Sequence, residues 1–571
     1  MEIKKKSPIF IGMGKTLFCS SVSVVDPLSH ELVETYLLER YSRKKADGSW
    51  PADILSSLKE KYSDRDLVLS ENRDVISPYD FEAALDKGFP FFNYLEKKGL
   101  HNFSSHFNKQ IEYIPHHFAH AQVAKYMSPF KKCAILVIDG AGSKAADIPS
   151  NYLDYEFASK VESHLHEESS LYLFEQGELT PILKNWQEFK KSEKFSEHSY
   201  SDGLGTCYEK IAEFIFNSKR ASGKVMGLAP FGKDLGFETS RELLYSLDWG
   251  RSFKGGSKED WEASGEMDHF KDLACTVQRI FEERMFSIIN QIKERLPNID
   301  KLIITGGCAL NCTSNMKLIE KSGLEQIYIP PFPGDESIGL GCSLAKYYEG
   351  HKWSIKKHSD QHGYLGEKRE YAKSDIEKKF ESYQIIWPAS IAKLSAELIS
   401  DGHIIGWYQG RSESGPRALG NRSILSRMDI PGRKNYLNES VKFRESFRPY
   451  GASVLFERGE EYFHISKDFN NPYMSFAVKL RDKYLDIFKE ATHIDQTSRM
   501  QLVRREQNPR YYDLIREVET LTGVGAVLNT SLNVMGEPIV ETIDDLRNFL
   551  DKSNVYGLAV GDAFILKERE V

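Results

Sequence analysis

Short apolar runs rich in β-branched residues recur at Pro8 to Ile11, Ser21 to Val25, Cys133 to Ile138, Lys301 to Thr305 and Gln326 to Ile329. Apolar residues on consecutive positions, bounded by glycine or polar residues, are the pattern of strands buried on both faces. Between them, Tyr208 to Phe216 and Leu273 to Leu296 place apolar residues at three- and four-residue steps, the spacing of helices with one buried stripe. Strands alternating with helices predict an α/β architecture. A polar, Lys- and His-rich stretch from about 351 to 378 breaks the pattern and predicts a boundary. Beyond it the pattern resumes with a helix at Ile391 to Ile399, a strand at Ile404 to Tyr408, and strands around Gly525 to Leu528 and Gly557 to Leu566. The expected division is a first domain over residues 1–352, a linker over 353–384 and a second domain over 385–571. No internal repeat or low-complexity tract is visible.

Composition narrows the partners. A chain of 571 residues exceeds the size at which a single core stops growing. Its net charge of −7 argues against a broad nucleic-acid surface and favours small-molecule partners. Seven scattered cysteines suit a reducing compartment. Cys308 and Cys312 are the one close pair, but no second pair follows to complete a zinc site. No run of eighteen apolar residues occurs, and the N-terminus is too short and glycine-broken for a signal segment. The expectation is a cytoplasmic protein with no membrane partner.

Candidate chemistry clusters in two places. In Pro115-His116-His117-Phe118-Ala119-His120, a helical backbone puts His116 and His120 on one face, where two imidazoles can share a metal. Asp139, at the end of the Cys133 strand, and Asp335, in a loop leading into a helix, are candidate carboxylate ligands. Two histidines with two carboxylates suit Fe(II), Mn(II) or Zn(II). The glycines of Asp139-Gly140-Ala141-Gly142 and Thr305-Gly306-Gly307, the latter running on to Asn311, permit close backbone approach to phosphate. Each loop alone is more often an ordinary turn. In the second domain, Arg411, Arg417, Arg422, Lys442, Arg444 and Arg448 are interleaved with glycine, proline and aromatic residues, which favours a shaped anion-binding cleft over a solvated face. Arg499 adds to it, and Asn529-Thr530-Ser531 offers short polar groups to a ribose or phosphate.

Four segments, His116-His-Phe-Ala-His120, Gly223-Lys-Val-Met-Gly-Leu-Ala-Pro-Phe-Gly232, Gly306-Gly-Cys-Ala-Leu-Asn311 and Pro333-Gly-Asp-Glu-Ser-Ile-Gly339, closely resemble the NodU/CmcH-type O-carbamoyltransferases, and the resemblance covers nearly the whole chain. It implies an actin-like first domain, similar to the threonylcarbamoyl-transfer enzymes, followed by a YrdC-like α/β domain. It implies that His116, His120, Asp139 and Asp335 hold a metal, Fe(II) first, and that Lys224, Gly140, Gly142, Gly306, Gly307 and Asn311 serve a nucleotide. Arg43 or Lys45 of the Glu39 to Lys45 segment would touch a phosphate or carbamoyl group. In the second domain Arg417, Lys442, Arg444, Arg448, Arg499 and Asn529, with Thr530 beside it, would hold ATP and carbamoyl phosphate, assisted by Mg²⁺, to form a carbamoyl adenylate. The carbamoyl group would then pass internally to a hydroxyl of a sugar or natural product. Relatives carry His-Asp where this chain has Phe18 and Cys19, so His117 is named as a substitute proton carrier. A different acceptor, a tRNA-modifying relative and a nucleotide-binding protein without transferase activity stay open, as does a homodimer.

Overall fold

The computed structural model describes residues 7–16, 19–29, 32–73, 111–190, 201–354 and 361–567. Phe18 lies outside them. Ten strands build two sheets in the first half: β1 (Ile9–Lys15), β2 (Ser20–Val25), β3 (Val33–Leu37), β4 (Leu67–Arg73), β5 (Glu112–Tyr113), then β6 (Lys132–Ile138), β7 (His166–Glu175), β8 (Glu178–Gln187), β9 (Lys301–Thr305) and β10 (Gln326–Tyr328). The first sheet has the order β3-β2-β1-β4-β5 and the second β10-β9-β6-β7-β8. In the first, β1 pairs antiparallel with β2 and parallel with β4. In the second, β6 pairs antiparallel with β7 and parallel with β9. One plan is thus built twice, an antiparallel hairpin on one side of a central strand and two parallel strands on the other, as expected of an actin-like domain. The sequence shows no repeat because burial pattern, and not residue identity, sets this plan.

The helices His116–Met127 and Ile338–Gly350 pack against each other, and the second also packs on β1. All twelve residues of His116–Met127 are buried, which is the mark of a helix enclosed by the core and not laid on its surface. Glycines let the layers meet backbone to backbone: a Cβ on Gly12 of β1 would sit 2.1 Å from the carbonyl oxygen of Gly339. The carboxyl ends of β6 and β9 are equally close, since a Cβ on Gly306, whose φ is +92°, would sit 2.2 Å from the Ile138 carbonyl oxygen. These contacts fix where the residues after each strand emerge.

The second half holds β11 (Gln384–Ile386), β12 (Ile405–Tyr408), β13 (Arg422–Ser426), β14 (Gly451–Leu455), β15 (Ala477–Lys479), β16 (Thr497–Arg499), β17 (Gln501–Val503), β18 (Ala526–Ser531), β19 (Gly557–Val560) and β20 (Ala563–Leu566). Eight of these form one sheet, β11-β20-β19-β12-β13-β18-β14-β17, while β15 and β16 pair separately. Helices Ile391–Ser400 and Pro509–Thr522 pack together and supply residues to the core over the central strands. Helix Lys373–Lys379 falls in the segment expected to be a linker and packs on helix Ile543–Lys552 of the second half.

The halves are clasped by arginines that donate to main-chain oxygens. Arg40 Nη2 donates to the carbonyls of Glu413 (3.3 Å) and Gly415 (3.2 Å). Arg43 donates to those of Ile539 (2.8 Å) and Pro538 (3.0 Å), and its Nε lies 3.2 Å from Asp545 Oδ1. In the reverse direction Arg411 Nη2 donates to Val33 O (2.9 Å). Gly415 is pressed against the first half: a Cβ there would lie 2.4 Å from the Pro331 carbonyl oxygen. Gly415→Ala should therefore destabilise the protein by about 1–3 kcal/mol through overpacking. Calorimetric unfolding should show a lowered transition that Gly256→Ala, at a site with nothing within 4 Å, does not share.

Candidate active site at the domain boundary

Helix His116–Met127 begins after Pro115, which sits at its N-cap, so both metal-candidate histidines fall in its first two turns on one face. Asp139 follows β6, and Asp335 opens the short turn that leads into Ile338–Gly350. One ligand atom from each of His116, His120, Asp139 and Asp335 lies within 4.8 Å of all the others. His120 Nε2 is 3.1 Å and His116 Nε2 3.5 Å from Asp139 Oδ2. To Asp335 Oδ1 the distances are 3.9 and 3.6 Å.

The surroundings decide what this cluster fits. Asn72 Oδ1 is 3.4 Å from His116 Nδ1, and the Asn72 amide donates to Ile114 O (2.8 Å). Ser337 Oγ is 3.3 Å from His120 Nδ1 and donates to Gly334 O (2.9 Å). Where these oxygens accept from the Nδ1 atoms, the Nε2 atoms are left to face the two carboxylates. Two carboxylates this close repel each other, and protons on the imidazoles or a cation held among the four groups offset that repulsion. The donor set and its supporting hydrogen bonds fit a divalent transition metal.

His117 takes a different course. Its Nδ1 is 2.7 Å from Ser170 Oγ, and its ring lies where a Cβ on Gly142 would be, 2.8 Å from Nε2. Burial drives its pKa down to about 3, so the ring is neutral. Behind it Glu167, Lys184, Asp154 and Tyr172 form a fully buried polar network. His117 is not among the residues that line the adjoining cavity.

That cavity, about 410 Å³, has Asp139, Gly140, Gly307, Asn311 and Asp335 of the first half on its walls together with Pro416 and Arg417 of the second. Asn311 caps helix Cys312–Lys321 through Ser314 N (3.0 Å) and donates to Gln278 Oε1 (2.9 Å). Cys19, which stands beside Phe18, also lines the cavity; burial and the nearby carboxylates raise its thiol well above the ordinary range. Two lining residues were not singled out from the sequence. Burial and Asp139 push Glu209 to about 8, and burial raises Glu336 to about 7. Glu336 directly follows Asp335 in a motif already recognised. Glu209 sits inside an amphipathic helix, where a carboxylate carries no local signal.

Beyond Arg417 lies a crowd of cations from both halves. Burial, then neighbouring cations, lowers Lys45, Arg417 and Lys442, and Arg499 falls to about 9. Arg444, also lowered chiefly by burial, reaches about 10. Arg448 acts on all five of these. Glu39 acts on Lys45 and Glu336 on Arg417, and Glu445 is 2.5 Å from Lys224 Nζ and 3.5 Å from Arg448 Nη1. Lys442 donates to Ser531 O (2.7 Å) and Asn533 O (2.8 Å), and Arg444 to Asn438 Oδ1 (3.0 Å). Arg499 Nε and Asn529 Oδ1 are buried without a hydrogen-bond partner. Asn529 donates to Ala418 O (3.1 Å) and Ser453 Oγ (2.9 Å), and Thr530 follows it on β18. Cations this crowded, two of them buried, with orphaned polar atoms on Arg499 and Asn529, fit a polyanionic ligand. Lys45 belongs to this crowd, whereas Arg43 is engaged in the clasp.

Comparison with known proteins agrees with this geometry. Residues 84–344 match the family described as carbamoyltransferase N-terminus and residues 396–567 the carbamoyltransferase C-terminus. The nodulation protein NolNO of Sinorhizobium fredii is 32% identical over 81% of this chain, which spans 64% of NolNO. An uncharacterized protein of Methanocaldococcus jannaschii is 30% identical, with 78% of this chain and 72% of that protein aligned. The 3'-hydroxymethylcephem-O-carbamoyltransferase of Streptomyces clavuligerus is 29% identical over 60% of this chain and 64% of its own length. Among the described residues no helix is long and apolar enough to cross a membrane. The chain belongs to the carbamoyltransferase family of enzymes.

Proposed function

We propose that the protein is an ATP-dependent O-carbamoyltransferase that makes a carbamoyl adenylate among the cations of its second half and delivers the carbamoyl group to a small-molecule hydroxyl in its first. The observation that carries this reading is the single cavity on which Arg417 and the carboxylates Asp139 and Asp335 both open. It is supported by the name of the cephem carbamoyltransferase relative.

The chemistry asks for what these residues offer. Water releases phosphate from carbamoyl phosphate, the resulting carbamate oxygen attacks the α-phosphorus of Mg-ATP, and pyrophosphate leaves. Two polyanions must approach each other and negative charge builds on the leaving group, so Lys45, Lys442, Arg444, Arg448 and Arg499 neutralise the phosphates and stabilise that charge. Burial, then mutual repulsion, depresses the affinity of Lys45, Lys442, Arg444 and Arg499 for protons in the free protein, and bound phosphates relieve the repulsion. Arg417, between the two sites, holds the adenylate phosphate as the carbamoyl end enters the cavity. The acceptor hydroxyl then attacks the carbamoyl carbon, the C–O bond to AMP breaks, and the hydroxyl proton leaves to a carboxylate of the wall or to AMP. A divalent metal on His116, His120, Asp139 and Asp335, iron(II) first, supplies Lewis-acid polarisation of the carbonyl when bound.

With Mg-ATP and carbamoyl phosphate but no acceptor, the protein should release AMP and pyrophosphate, measured by chromatography. Arg448→Ala should slow this release about 100-fold or more. A wild-type protein that makes no AMP sinks the adenylate route. The metal cluster should be separable from this step. His120→Ala should lose one equivalent of metal by elemental analysis while keeping its AMP release, and retention of full metal content in that variant would show that the four residues are not the ligands.

A further inference from the structure

Phe443 stands between two buried cations, Lys442 and Arg444, and is itself 45% exposed. Its φ is +50°, in the left-handed region that a Cβ disfavours and glycine enters freely. It also lies just beyond the π-helix Leu437–Val441, a rare form that recurs at functional sites. Two departures from ordinary backbone thus meet at one point, and what they achieve is a phenyl ring presented to solvent. Strain of this kind persists where the surrounding structure enforces it, and it gathers at ligand sites.

What surrounds the ring defines its partner. Met535, 44% exposed, is tied to the same turn, because its N–H donates to the Lys442 carbonyl (3.1 Å). On the buried side, the Lys442 ammonium is anchored on Ser531 and Asn533 and Arg444 on Asn438. Two exposed apolar residues are thus tied to the turn that carries the Lys442 and Arg444 cations. Inorganic phosphate or carbamoyl phosphate has no use for an aromatic face. A nucleoside triphosphate uses both features at once, its phosphates on the cations and its base on the ring.

We infer that Phe443 is the stacking platform for the nucleobase of the triphosphate consumed in the second half, with Met535 at its edge. The inference rests on the adenylation reading above. Because stacking reads a π-face and not a hydrogen-bond pattern, the platform separates nucleotides from inorganic polyphosphates and serves ATP and GTP alike.

The test uses the full chain. In the AMP-release assay Phe443→Ala should raise KM for ATP about tenfold or more, while inhibition by Mg-tripolyphosphate changes by less than about twofold. Phe443→Gly should weaken ATP equally yet raise the unfolding midpoint, since glycine relieves the left-handed backbone. Phe443→Trp should show a fluorescence change with Mg-ATP that Mg-tripolyphosphate does not produce. Equal losses for ATP and tripolyphosphate would overturn the inference, leaving Phe443 as a support for its cationic neighbours. So would an unchanged KM in Phe443→Ala, or a lowered midpoint in Phe443→Gly. If the wild type releases no AMP but Phe443→Trp still reports Mg-ATP and not tripolyphosphate, the adenylation reading fails and the platform stands. If AMP is released and the Trp signal and KM are both insensitive to the base, the platform alone fails.

Discussion

Acidic groups crowded on one side and basic groups on the other govern this molecule. On one side of the boundary cavity, Asp139, Glu209, Asp335 and Glu336 share a wall. On the other, Lys45, Arg417, Lys442, Arg444, Arg448 and Arg499 press on one another with Glu445 as their acidic neighbour. Each group is offset only in part, the acids by raised proton affinity at Glu209 and Glu336 and the cations by Glu39, Glu336 and Glu445, and a charge left uncompensated is costly. The fold supplies the rigidity that keeps each group from relaxing. On the proposed function a polyanion answers one and a divalent cation the other, at groups already in place before either arrives.

That rigidity comes from backbone contacts more than from side-chain packing. Gly12 against Gly339 and Gly306 against Ile138 leave no room for a Cβ, which sets the separation of the helices and strand ends that carry His116, His120, Asp139 and Asp335. The ligand set is therefore positioned by three elements, the helix His116–Met127, the end of β6 and the turn at Asp335, which the fold brings to one place. The supporting oxygens of Asn72 and Ser337 arrive from β4 and from the turn before Ile338–Gly350, and they fix which imidazole nitrogen faces inward.

The sequence carried the α/β class of the fold and the nearness of the metal candidates, but not the sheet plan. His116 and His120 were legible because i, i+4 spacing on a helix is a local geometric fact, and the glycines of the two loops because close approach demands them. The strand runs at β1, β2, β6, β9 and β10 were visible as apolar stretches, but their twofold plan was not, since pairing partners lie far apart in the chain. Arg43 and Lys45, two residues apart in one basic segment, part company in three dimensions, one entering the clasp and the other the cation crowd. Glu209 was invisible, because its meaning depends on the cavity beside it and not on its neighbours in the chain. His117 shows the reverse, a conspicuous residue whose surroundings are Ser170 and a buried polar network.

The clasp between the halves is addressed largely to the main chain. Arg40, Arg43 and Arg411 bind carbonyls of Glu413, Gly415, Ile539, Pro538 and Val33, and a carbonyl is the same whichever side chain it belongs to. Positions such as Val33, Pro538 and Ile539 can drift through evolution without loosening the joint, so long as the path of the backbone is kept. Such an interface lets the two halves diversify separately, one toward new acceptors and the other under the fixed demands of its anionic ligands, while remaining compatible with each other's descendants.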